Sequence, residues 1–129
     1  MSISFNKTLS ETDFLTALER VKTGIRNYGF GVVTEIDMKK NFREKLDRDF
    51  REYRILGVCN PAFAYRAIQH NDKLGVFLPC NLILQQYDDG RVELSAVDPV
   101  ASMMAVNNPS LGEIAEEVQV RLKQFVEEI

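Results

Sequence analysis

The chain has 129 residues, a mass of 14.8 kDa, a net charge of −3 and a pI near 5.2. That is one domain's length, enough to bury a core without staples. Its 45% hydrophobic and 27% charged residues exclude a disordered or fibrous chain, and the acidic balance argues against an electrostatic hold on nucleic acid.

The first residues, Met1 to Asn6, lack the basic region and apolar stretch of a signal peptide. The most apolar run, Leu74 to Leu84, is interrupted by Pro79 and Asn81 and is far short of the ~18–20 residues of a membrane span. No membrane partner is expected. The expected setting is the cytosol, with reduced thiols. Two cysteines, Cys59 and Cys80, make neither a disulfide scaffold nor a four-thiolate zinc site.

Ile3 and Phe5 alternate with polar neighbours and predict a strand. Ser10 reads as the N-cap of a first helix, whose apolar stripe is Phe14, Leu18, Val21 and Ile25 and whose stop is Gly29. Val32, Thr34 and Ile36 predict a second strand. Asp37 caps a short helix with Phe42 and Leu46 expected inward. Tyr53 to Val58 is a third strand. Asn60 and Pro61, a favoured N-cap and first position, start a helix running towards His70.

Leu74 to Tyr87 reads as one long strand. Asp88-Asp89-Gly90 turns it into an antiparallel partner, Arg91 to Val97. Val100 to Val106 is ambiguous. Ser110 and Glu113 read as a capping box before a last helix striped by Leu111, Ile114, Val118, Leu122, Phe125 and Ile129. The expected fold is a single α+β domain over residues 1–129. Its order is β-α-β-α-β-α-β-β-α, with a mainly antiparallel sheet and the first and last helices on one face.

Three segments stand out: Ile55-Leu56-Gly57-Val58-Cys59-Asn60-Pro61, Leu78-Pro79-Cys80-Asn81, and Asp98-Pro99 followed by Met103-Met104. With Gly29-Phe30-Gly31-Val32 and Glu113 to Val118, they resemble the family catalogued as Domain of Unknown Function three hundred and two over nearly the whole chain. The resemblance implies a small bacterial or archaeal protein with a TATA-box-binding-protein-like α+β fold and a homodimeric state. It implies no settled activity and leaves any cofactor unknown.

The residues suggest more. Cys59 precedes a helix start, where unpaired N–H groups favour a thiolate. Cys80 sits between a proline and an asparagine in an apolar run. If Tyr53 to Leu74 is a parallel crossover, the two cysteines, each six residues into its strand, reach similar heights and face one pocket. Cys59, Asn60, Cys80, Asn81 and Asp98 are the candidate ligand-binding residues. Cys59 and Cys80 are the candidate catalytic residues. A soft metal would find Cys59, Cys80, Met103 and Met104.

The bland alternatives are that free cysteines pack in the core, Asp98 caps a turn and the methionines fill space. His70, the sole histidine, lies eleven residues past Cys59, roughly 16 Å away on one helix, too far for a Cys–His dyad. Lys39 to Arg54 carries seven basic residues, but interleaved acids read as a solvated face rather than a nucleic-acid patch. The favoured function is a binding module for a small ligand, an anion or a soft metal ion. The alternatives are a thiol-redox or sulfur-transfer protein with Cys59 as nucleophile, and a structural dimerisation protein with core cysteines.

Overall fold

The computed structural model describes residues 2–102 and 109–129. Five antiparallel strands run β1 (Ser4–Thr8), β2 (Gly31–Asp37), β3 (Tyr53–Cys59), β4 (Cys80–Gln86) and β5 (Val92–Val97), in the sheet order β1-β5-β4-β3-β2. Between and after them come α1 (Phe14–Gly24), α2 (Met38–Leu46), α3 (Pro61–His70), the one-turn α4 (Pro99–Ser102) and α5 (Pro109–Glu128).

The apolar stripes do what their spacing predicts. Phe14, Leu18, Val21 and Ile25 are buried, as are Leu111, Ile114, Val118, Leu122 and Phe125. They share one core with Leu56 and Val58 of β3, Leu82 and Leu84 of β4, and Leu94 and Ala96 of β5. These strand residues have one parity, since Leu56 pairs with Leu82 and Leu82 with Ala96. The first and last helices therefore lie on the same face of the sheet.

At the β2 side that face becomes ionic. Lys22 of α1 reaches Glu35 at 2.5 Å, and Arg54 binds Glu35 and, at 3.2 Å, Asp37. Burial works against charge on Glu35, but hydrogen bonds from Lys22 and Arg54 outweigh it and hold its carboxyl below the usual range.

Several local expectations are corrected. Helix α1 is capped by Asp13, whose carboxylate accepts from the Thr16 N–H at 3.0 Å, and Ser10 instead donates to Glu11. Leu46 is 63% exposed, because α2 buries no residue fully. Helix α5 is described over Pro109–Glu128, a span that includes Ser110. Of Val100 to Val106, residues up to Ser102 belong to α4, and the rest falls outside the described residues.

The largest corrections concern residues 53–87. Leu74–Phe77 is a 3-10 turn, not strand: Leu74 N–H donates to Asn71 O and Val76 N–H to Lys73 O. A short apolar run does not by itself distinguish the two. And β3 meets β4 antiparallel, not through a parallel crossover.

That pairing depends on Gly57. It lies opposite Thr34 on β2 and Asn81 on β4. A Cβ built there would collide with Thr34 Oγ1 and would meet Pro79 Cγ at 2.6 Å. The bare α-carbon lets Pro79, which follows a cis peptide at the threshold of β4, close onto β3. Gly57→Ala should destabilise the protein by about 1–3 kcal/mol, the range of overpacking. Gly75→Ala, where a Cβ meets nothing within 4 Å, should change stability by less than ~0.5 kcal/mol. Urea unfolding checks both; equal midpoints for Gly57→Ala and the parent would refute the close-approach account.

Candidate functional site

Antiparallel pairing brings the end of β3 beside the start of β4. Val58 is paired with Cys80, so Cys59 is the next residue along. The cysteines reach the same edge of the sheet for a different reason from the one the equal offsets suggested: one strand leaves where the other enters. Both are free and half-buried.

Cys59 is the last residue of β3, and Asn60 is the N-cap of α3. The Asn60 side chain accepts hydrogen bonds from Ala62 N–H at 3.0 Å and Phe63 N–H at 3.2 Å, so it caps the helix as its position before Pro61 predicts. Its amide nitrogen is held near the left-handed turn at Gly29, where φ is +89°. A Cβ on Gly29 would stand 3.0 Å from that nitrogen and 2.8 Å from Arg121 Nη1. The Gly29-Phe30 segment thus closes against the start of α3.

Cys59, Asn60 and Cys80 line one cavity of ≈ 30 Å³ between β3, β4, α3 and α5. The rest of its wall is apolar and includes Phe30, Val58, Phe63, Leu78, Ile114 and Val118. Burial and, to a smaller extent, the nearby Cys59 together push the Cys80 thiol up to about 11. At neutral pH Cys80 is therefore a protonated thiol. On its other side Cys80 borders a wider depression of ≈ 260 Å³, with Phe77, Pro79 and Val97.

The other candidates lie apart. Asn81 is exposed and lines depressions outside the thiol cavity. Asp98 caps α4, accepting from Val100 N–H at 3.0 Å, and also accepts from Gln119 Nε2 at 3.0 Å, which ties α4 to α5. Met103 and Met104 lie outside the described residues. His70 is exposed at the end of α3. Among the described residues no cluster of three or more His, Cys, Asp or Glu is placed to hold a metal. No helix among them is long and apolar enough to cross a membrane.

Of the cavity walls, Ile114 and Val118 were read from sequence only as the apolar stripe of the last helix, Phe30 only within the Gly29-Phe30-Gly31-Val32 motif, and Phe63 not at all. The nearest signal was the stripe of α5, which places Ile114 and Val118 on its buried face.

The Cys80 environment has a measurable consequence. In a Cys59→Ser variant, alkylation of Cys80 at pH 8 should run about a hundredfold slower than for a thiol of ordinary acidity, since each pKa unit is tenfold in thiolate. The rate should keep rising towards pH 11, because only the thiolate reacts. A rate that levels off below pH 9 would contradict the desolvated site.

The family model described as "Domain of unknown function DUF302" matches residues 5–129. A crystal structure titled as an uncharacterized conserved protein DUF302 from Bacillus stearothermophilus superposes with a TM-score of 0.89 at 29% identity, covering 98% of each chain. No curated protein matches. The motifs around Gly57, Cys59 and Cys80, the five-stranded fold and the match across residues 5–129 agree, and the chain belongs to the DUF302 family.

Proposed function

We propose that the protein is a binding module whose thiol-lined cavity takes a single soft metal ion, a monovalent d10 cation such as Cu(I). The observation that supports this most is that Cys59 and Cys80 line one small apolar cavity. Size favours an ion: ≈ 30 Å³ holds about one water-sized guest, whereas organic ligands occupy sites of about 300–1,000 Å³. Lining chemistry disfavours a hard anion, which would lose its hydration to an apolar wall. Soft thiolate ligands select soft ions. The candidate ligands are Cys59 and Cys80. Met103 and Met104 stay candidates on sequence grounds alone. A reducing compartment such as the cytosol suits both the free thiols and a monovalent ion.

Binding must displace the proton that Cys80 holds at neutral pH. Affinity should therefore tighten by at least about tenfold per pH unit across pH 6 to 8. Competition titration with Ag(I), a redox-stable stand-in, checks this. The parent should bind one ion per chain, and Cys59→Ser or Cys80→Ser should each weaken it by at least about a hundredfold, as loss of one of two ligands requires. Unchanged stoichiometry and affinity in the double variant would reject the reading.

We also propose that the protein is a homodimer, joined through the sheet face opposite α1 and α5. The pairing places Asn6, Ser95, Ile83, Ile55 and Ile36 in one row across all five strands. Ile36 is 42% exposed and Ile3 75%. A depression of ≈ 390 Å³ beside that row is lined by Ile3, Asn81, Ile83, Ser95 and Val97, with no charged residue. An uncharged apolar patch can meet its own copy across a two-fold axis without opposing like charges. Sedimentation at micromolar concentration should give twice the 14.8 kDa chain mass, and Ile83→Lys should give a folded monomer. A parent that sediments only as the single chain would overturn this.

A further inference from the structure

Metal binding leaves open what two reduced thiols do when they meet an oxidised partner. We propose that Cys59 and Cys80 form an exchanging dithiol, which closes to an intramolecular disulfide while reducing a low-molecular-weight disulfide. This inference goes beyond the metal-binding reading and does not depend on it.

Register makes the bridge reachable. Partners such as Val58 and Cys80 have Cα atoms about 4.5–5.5 Å apart, and Cys59 lies one further step of about 3.3 Å along β3. The Cys59–Cys80 Cα separation is then about 6 Å, inside the ~4.4–6.8 Å range of disulfides. Strict alternation would send Cys59 to the other face of the sheet from Cys80. However, β3 ends at Cys59, which lines the same cavity as Cys80. The loop a bridge would close, residues 60–79, contains α3 and needs no refolding of the sheet.

The chemistry has two steps. Cys59, the last residue of β3 ahead of the Asn60 cap of α3, loses its proton to solvent and attacks one sulfur of the incoming disulfide RS–SR. The S–S bond breaks, an S–S bond to Cys59 forms, and the first RS⁻ leaves and takes up a proton. Cys80 then loses its proton to solvent and attacks the Cys59 sulfur of the mixed disulfide, expelling the second RS⁻, which is protonated in turn. Two protein thiols are oxidised to one disulfide, and one external disulfide is reduced to two thiols. The depression bordered by Phe77, Pro79 and Val97 gives the Cys80 side of the junction an opening to solvent.

Oxidised glutathione is the probe. The reduced full-length protein is incubated with it under native conditions, then denatured, alkylated and digested with trypsin. Cleavage after Arg54, Arg66, Lys73 and Arg91 puts the two cysteines on separate peptides, 55–66 and 74–91. The expected result is loss of both thiols and a linked 55–66/74–91 pair that a reductant separates. Cys80→Ser should instead trap one glutathione on Cys59. Cys59→Ser should form adduct at least about tenfold more slowly near neutral pH. Recovery of both parent peptides alkylated, or each carrying its own glutathione, would overturn the proposal without requiring either variant to fold. An adduct forming faster on Cys80 than on Cys59 would overturn the order of attack. Ag(I) binding by the reduced protein would be unaffected by any of these outcomes, so the two readings fail separately.

Discussion

The site rests on a missing methyl group. At Gly57 the side chains of Thr34 on β2 and Pro79 just ahead of β4 close in, and a Cβ would leave them no room. Proline at that point has no N–H to offer a ladder, so it stands at the threshold of β4 and not inside it. Cys80 is then the first residue of β4 and is paired with Val58. A slip of one residue would move every buried leucine of β4 to the opposite face. The core made by Leu56, Leu82, Leu84 and Leu94 therefore enforces the same register from the other side.

From that register follows the chemistry available to the cavity. Helix α3 starts where β3 stops, with Asn60 satisfying its first N–H groups. Helix α5 closes the wall with Ile114 and Val118. The result is a small, mostly apolar space in which one thiol is held protonated by desolvation. Among the described residues its polar lining is the two thiols and the Asn60 side chain, with no carboxylate or imidazole. It suits reactions in which sulfur itself is the ligand or the nucleophile.

Much of this was legible in the residues. The helical stripes in α1 and α5, the Asn60-Pro61 helix start and the Asp88-Asp89-Gly90 turn have short-range physical causes, and each appears where it was expected. The chain's failure to make one strand of Leu74 to Tyr87 was not legible. Gly75, Val76 and Phe77 carry no helical period over so few residues, and turn hydrogen bonds from Leu74, Val76 and Leu78 decide the matter. Strand direction was also hidden, because α3 between β3 and β4 looks the same in sequence whether the strands run parallel or antiparallel. The grouping of Cys59 with Cys80 at one cavity was expected; it was not expected that Asn81 would share only the wider depression with Cys80 and that Asp98 would line neither. Asn81 follows Cys80 and so takes the opposite face by alternation. Asp98 is committed to the start of α4 and to Gln119.

Two cysteines distant in sequence share one cavity in the reduced protein. Phenylarsine oxide tests this most directly, since trivalent arsenic forms a stable ring only with two neighbouring thiols. One equivalent should bind the native protein, consume both thiols and add a single phenylarsenic unit to the chain mass, and Cys59→Ser and Cys80→Ser should each abolish stable binding. Two thiols that remain freely titratable in the native protein after one equivalent of the arsenical would contradict it.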